Sequence, residues 1–105
     1  MLKNNNILRN MTKAELVSKI SEVTGIEKLT ALAVLESCME EIKTSVANNE
    51  SVFLRGFGTF KPKKRAKKTG RNIKKNTAII IPEHYIPSFK PSKVFTRKVK
   101  EKIKS

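Results

Sequence analysis

Between Lys61 and Thr77 the chain carries nine Lys or Arg residues and no acid. No opposing charge lies inside that stretch, so it survives only as a solvated surface or against a polyanion from outside. Gly56-Phe57-Gly58 precedes it and Ile79-Ile80-Ile81 follows it, flanks with the composition of turns and strands rather than of a structureless tail. The pattern predicts two extended limbs joined by a turn at about Gly70 to Asn76. The result is a cationic β-ribbon arm over about residues 61–82, with nucleic acid as its natural counter-ion.

Charge elsewhere is distributed to match. Residues 1–54 hold six Lys/Arg against seven Glu, whereas residues 55–105 hold seventeen against two, for a net charge of +14. A near-neutral scaffold thus carries a basic working end, the electrostatic footprint of a nucleic-acid binder. An anionic membrane is the rival polyanion, but it calls for an amphipathic helix with large apolar anchors. No apolar run approaches the roughly 18 residues of a membrane span, and MLKNNNILRN lacks the apolar centre of a secretory signal; the expected compartment is a reducing cytoplasm. With the arm set aside, roughly 75 to 80 residues remain for a core, few enough to call for a staple or a partner. Cys38 is the only cysteine, so the staple is not an internal disulfide. A homodimer sharing one core is the expected solution.

Residues 1–10 are Asn-rich without periodicity and predict a flexible tail, leaving 11–105 as one domain. Thr12-Lys13-Ala14-Glu15 matches a capping box, and Leu16, Val17, Ile20 and Val23 follow at helical spacing until Thr24-Gly25 ends the helix. A second helix runs from near Glu27 to about Ala47, with Ala31, Leu35, Cys38, Ile42 and Val46 in one stripe that Leu32, Val34 and Met39 widen. So broad an apolar face wants a second subunit as well as the first helix, and Cys38 within it reads as a small buried hydrophobe. Asn48-Asn49-Glu50 is a turn, Ser51–Leu54 a strand and Arg55-Gly56-Phe57-Gly58 a tight connection. From Thr59 the chain runs out as the first limb of the arm. Pro62 has no amide hydrogen and belongs on a strand edge. Phe53, Phe57 and Phe60 read as core packing. Pro82–Tyr85 brings the chain back, Ile86–Lys90 is a third strand, and Ser92 caps a last helix with Phe95, Val99 and Ile103 on one face and six Lys or Arg on the other.

The order helix, helix, hairpin, basic arm, strand, helix, together with GFGTF at 56–60 and RAKKTGRN at 65–72, resembles the HU and integration host factor family of bacterial nucleoid proteins. The likeness runs without an obvious gap from about Met11 to Lys100. It implies an α+β fold: an intertwined homodimer or heterodimer with a helical base, a three-stranded antiparallel sheet per subunit, and two β-ribbon arms that embrace duplex DNA. It also implies a dimer core containing Phe57, Phe60, Phe89, Leu35 and Ile42. Arg65, Arg71 and Asn72 would then lie in or along the minor groove. Arg55, Lys63, Lys64, Lys67, Lys68, Lys74, Lys75, Lys93 and Arg97 would complete the DNA-binding set, most of them on phosphates. Apolar wedges in such proteins partly unstack base steps. Family members usually carry proline as that wedge after GRN, and here the position is Ile73, itself a residue type used for wedging. Ile80 also stands where a lysine is common, and Asn76 replaces the usual glycine.

Three functions compete on these grounds. An architectural DNA-binding dimer of low sequence specificity fits a chain rich in phosphate positioners and poor in base readers. A site-specific bender of the integration host factor type would draw its specificity from DNA deformability. A basic RNA-binding structural protein lacks the aromatic platform that single strands stack on. Catalysis has no support in the residues: His84 is the one histidine, there is no Asp, and no nucleophile with its base, phosphate-cradling Gly loop or metal-ligand set is present. No cofactor, small-molecule substrate or membrane partner is expected.

Overall fold

The computed structural model describes residues 9–72, 74–75 and 77–103, which form three helices and five strands. The backbone divides into two compact units between Glu40 and Glu41.

In the first unit, helix α1 (Lys13–Thr24) starts at a complete capping box. The Thr12 hydroxyl accepts from the Glu15 N–H at 3.1 Å, and the Glu15 carboxylate accepts from the Thr12 N–H at 3.0 Å. That donated Thr12 amide, helped by the Arg9 guanidinium 3.0 Å away, holds the Glu15 carboxyl below its ordinary value. Gly25 ends the helix in the left-handed conformation, φ 80°, where its N–H reaches the Ser21 carbonyl at 2.8 Å. Helix α2 (Lys28–Ala47) begins one residue after Glu27 and presents Ala31, which is buried, as is Val17 of α1. A surface ion pair, Lys13 Nζ to Glu36 Oε2 at 2.7 Å, links the two helices; such exposed pairs contribute at most about 1 kcal/mol. Cys38 is exposed rather than buried, and Val34 and Met39 are exposed with it. Among the described residues, no element of the first unit covers that side of α2.

In the second unit, α2 ends in a Schellman motif. Glu50 N–H donates to the Ser45 carbonyl at 2.8 Å and Asn49 N–H to that of Val46 at 3.0 Å, with Asn49 at φ 65°. These bonds satisfy carbonyls that a helix end leaves orphaned. Strands β1 (Val52–Leu54), β2 (Gly58–Arg65) and β5 (His84–Pro91) form an antiparallel sheet in the order β1-β2-β5. Strands β3 (Lys68–Asn72) and β4 (Thr77–Ile81) form a two-stranded ladder, and α3 (Lys93–Lys102) follows β5. The third strand is thus longer than Ile86–Lys90, and Gly70 lies inside β3 opposite Ile79 instead of opening the turn.

One register governs both ladders. Extending the β2–β5 pairing past Arg65↔His84 brings Lys68 opposite Ile81, which is how β3 and β4 pair. The arm is therefore a single ribbon interrupted at Ala66-Lys67 and Pro82-Glu83. Proline placement explains the gap. Pro62 and Pro87 face each other and, lacking amide hydrogens, can occupy only a non-hydrogen-bonded pair. Alternation then puts Gly58↔Pro91 in the same class and would make Lys67 opposite Pro82 a hydrogen-bonded pair, which Pro82 cannot complete.

The β1–β2 turn closes by Phe57 N–H to the Leu54 carbonyl at 2.9 Å, with Gly56 at φ 81° in the turn position that demands glycine. Gly58 is needed for a different reason. A Cβ there would stand 2.6 Å from the Lys90 carbonyl oxygen and 2.6 Å from Phe89 Cε1, so only glycine lets β5 and its aromatic ring lie this close. Ser92 caps α3 by accepting from the Phe95 N–H at 3.1 Å, while its own N–H donates to the Phe57 carbonyl at 2.9 Å.

Candidate nucleic-acid interface

Opposed residues in an antiparallel ladder share a face, and successive residues alternate. The register consequently sorts the β1-β2-β5 sheet into two chemically distinct sides. Val52, Phe60, Pro62, Pro87 and Phe89 fall on one side. There Phe60 and Phe89 pack at a tilt of 35° with centroids 4.7 Å apart, Phe57 lies 5.3 Å from Phe89, and Phe95 of α3 stacks 5.4 Å from Phe57 at a near-parallel 18°. This four-ring cluster fixes α3 to the sheet. It also borders an apolar groove of about 520 Å³ walled by Ile42, Val46 and Ala47 of α2 and by Phe60, Tyr85 and Phe89. Phe57 and Phe60, read from the sequence as core packing, come together here with Phe89, which only the family resemblance singles out, and with Phe95. Leu35 is half-buried in the first unit and Ile42 lines this groove in the second.

Thr59, Lys61, Lys63 and Arg65 alternate onto the other side, with Lys90, Ser88, Ile86 and His84 opposite them. Lys61, Lys63, Lys64 and Lys90 border a shallow groove of about 530 Å³, together with Pro62, Ser88, Phe89 and Pro91. A second groove, about 400 Å³, is bordered by Lys90, Pro91, Lys93, Thr96, Arg97 and Lys100. Lys90 and Pro91 belong to both, which makes one continuous basic track from α3 across the sheet to the base of the ribbon. Lys93, Arg97 and Lys100 reach it because i, i+4 and i+7 share a helix face. Cations this dense raise the local potential and favour a polyanion laid along them.

The individual residues divide as follows. Lys63 and Arg65 alternate onto the side of Lys61 and Lys90, whereas Lys64 alternates onto the opposite side, across from Tyr85; it also borders the groove, but its ammonium is ion-paired with Glu83. Glu83 is the one acid between Ser51 and Lys100. Lys67 sits at the interruption of the ribbon, and Lys68 and Arg71 occupy β3 on opposite ribbon faces, across from Ile81 and Ala78. Asn72 closes the ladder opposite Thr77, and Lys74 and Lys75 form exposed turn positions at the tip. The wedge candidate Ile73 lies outside the described residues, as does Asn76. Arg55 is exposed in the β1–β2 turn and borders neither basic groove. Lys61, Lys90 and Lys100 are additions that the family pattern did not single out; the period-two spacing of Lys61, Lys63 and Arg65 was the signal for the first.

Phe53 corrects the sequence expectation. It is 71% exposed and stands outside the aromatic cluster because it pairs with Thr59, one residue out of phase with the Val52↔Phe60 pair. In β4 the register sets Ile79 and Ile81 on one ribbon face and Ile80 on the other, all exposed. His84 Nδ1 lies 2.9 Å from the Pro82 carbonyl oxygen, a turn contact. Among the described residues no group of His, Cys, Asp or Glu is placed to hold a metal ion, and no helix is long and apolar enough to cross a membrane.

Comparison with known proteins places this geometry. Residues 11–100 match the family model described as bacterial DNA-binding protein. The chain is 36% identical over 93 residues to DNA-binding protein HU of Thermus thermophilus, covering 89% of this chain and 96% of that protein. It is likewise 36% identical over 95 residues to integration host factor subunit beta of Marinobacter nauticus, covering 90% and 97%. Among solved structures, an Anabaena HU–DNA cocrystal superposes with a TM-score of 0.83 at 38% identity, covering 86% of this chain and 98% of that one.

Proposed function

Because the chain belongs to the family of bacterial DNA-binding proteins, we propose that it is an architectural DNA-binding protein. It grips duplex DNA through the minor groove, with little sequence preference, and bends it. The observation that carries this reading is the basic track, which runs from Lys100 to Lys63 through two grooves that share Lys90 and Pro91, and leads on to Arg65 and a lysine-rich ribbon. Contacts of this kind bind phosphates wherever they occur and so position the protein without reading sequence. Bending follows from wrapping: DNA that leaves its straight path meets both the track and the arm, and the extra contacts offset the deformation.

The working unit in this reading is a homodimer. The apolar groove beside the aromatic cluster and the exposed stretch of α2 around Val34, Cys38 and Met39 are surfaces that a second copy would cover. Residues 11–105 act as the DNA-binding module and residues 1–10 as a tail. Arg65, Arg71 and Asn72 lie along the minor groove, Ile73 is the wedge at the arm tip, and Lys63, Lys67, Lys68, Lys74, Lys75, Lys93 and Arg97 hold phosphates. The protein works in the bacterial cytoplasm, on the nucleoid, and catalyses no reaction. A gel-shift series on linear, nicked and pre-bent duplexes over several salt concentrations tests this directly. Tighter binding to the pre-bent and nicked forms supports bending, and a log–log salt slope of about −0.9 per phosphate held supports the charge account. Equal affinity for all three forms, or an affinity independent of salt, contradicts it.

A further inference from the structure

We infer that Phe53 is an additional DNA contact, packing its ring against the deoxyribose wall of the minor groove where the duplex crosses the sheet. The inference rests on the proposed function and extends it to a residue outside the arm. Three observations converge on it. First, Phe53 lies on the edge strand β1 and is 71% exposed, although burying such a ring is ordinarily favourable. Second, the register Phe53↔Thr59↔Lys90 sets it in one row across the sheet with Lys90, the residue shared by both basic grooves. Third, the opposite side of the same sheet is already occupied by the four-ring cluster, and the Cβ direction of Gly58, which points at Phe89, fixes which side is which.

An apolar ring amid cations fits a surface that is both anionic and apolar within one nucleotide, which is what a sugar–phosphate backbone offers. Phe53 and Lys90 stand two strand spacings apart, about 10 Å, so one duplex can meet both. In an intact duplex the base faces are stacked away, and the sugar carbons lining the groove are the apolar atoms within reach. A second copy of the chain is the competing occupant. The basic side of the sheet argues against it, since setting that side against its own copy would bring Lys61, Lys63 and Lys90 towards like charges.

The test uses the full-length protein and its Phe53→Gln and Phe53→Tyr variants, with Lys90→Ala as the charge control. Affinity for a linear duplex is measured across salt concentrations, and melting temperature and oligomeric state are measured without DNA. Loss of an apolar contact should weaken Phe53→Gln by about five- to twenty-fold with an unchanged salt slope. Phe53→Tyr should bind like wild type, and Lys90→Ala should lower the slope by about 0.9 for each phosphate lost. The DNA-free melting temperature and oligomeric state of Phe53→Gln should equal those of wild type. Wild-type affinity in Phe53→Gln overturns this inference alone, and so does weakened binding accompanied by loss of the oligomer. Failure of the wild-type protein to bind the duplex overturns the proposed function itself.

Discussion

Adjacent lysines at 63 and 64 look equivalent in the sequence, yet the register gives them opposite roles. Lys63 alternates onto the side of Lys61 and Lys90, whereas Lys64, which also borders the groove, alternates onto the other side and is already ion-paired with Glu83. Replacing Lys63 with alanine removes one phosphate contact per subunit, or two per dimer. At about 0.9 in log–log slope for each phosphate, the salt dependence should flatten by about 1.8. Between about 50 and 200 mM salt, a span of about 0.6 log units, the penalty on affinity should shrink by about tenfold. Lys64→Ala takes away a cation whose counter-ion is a carboxylate rather than a condensed salt ion, so its slope should change by less than half as much. Both variants should melt within a few degrees of wild type, because an exposed ion pair contributes only about 0–1 kcal/mol. Fluorescence anisotropy titrations of one labelled duplex at five or six salt concentrations supply the slopes. If Lys64→Ala flattens the slope as much as Lys63→Ala does, the face assignment that underlies the track is wrong.

Gly58→Ala should cost about 1–3 kcal/mol, since the new methyl would meet the Lys90 carbonyl and the Phe89 ring at 2.6 Å, and a thermal melt at fixed concentration reads that loss. Asparagine, which tolerates the left-handed conformation, should be accepted at Gly56, where φ is 81° and nothing lies within 4 Å, but not at Gly58. Thr12→Ala should lower stability by about 1 kcal/mol through loss of the cap. Glu15, whose carboxyl is held low by the Thr12 amide and then by Arg9, stabilises the fold above its unfolded pKa and loses that contribution as pH falls through its depressed folded one. Wild type should therefore lose melting temperature more steeply on acidification than Glu15→Gln, and parallel curves would contradict the capping-box account. Ile73→Ala should bind duplex with little change in salt slope but bend it less, as read by energy transfer between labelled ends; equal bending would remove the wedge role.

What could be read from the chain was whatever is decided within a few residues. Thr12 with Glu15, Gly25, Gly56 and Ser92 each satisfy or shape backbone groups within four positions, and each was legible. The packing of Phe57 and Phe60 was likewise legible from their apolar character, whereas Phe89 was singled out only by the family resemblance. Face assignments were not legible, because they depend on pairing between residues up to thirty-three apart, as in Gly58↔Pro91. Phe53 looked like core until its pairing with Thr59 put it out of phase with Phe60. Lys64 looked like Lys63 for the same reason. Pro82 was visible as a proline, but its effect on the ribbon appears only once Pro62↔Pro87 fixes which pairs carry hydrogen bonds. The extent of β3 was misjudged because Gly70 suggested a turn, although no positive φ is required of it.

The central claim is that the basic track and its ribbon hold a double helix and leave it deformed. Energy transfer across a duplex of a few tens of base pairs, labelled at both ends and titrated with the protein at low salt, measures that directly. The account predicts that the ends draw together in step with binding and separate again as added salt releases the protein. Saturating binding with no change in end-to-end distance would contradict it.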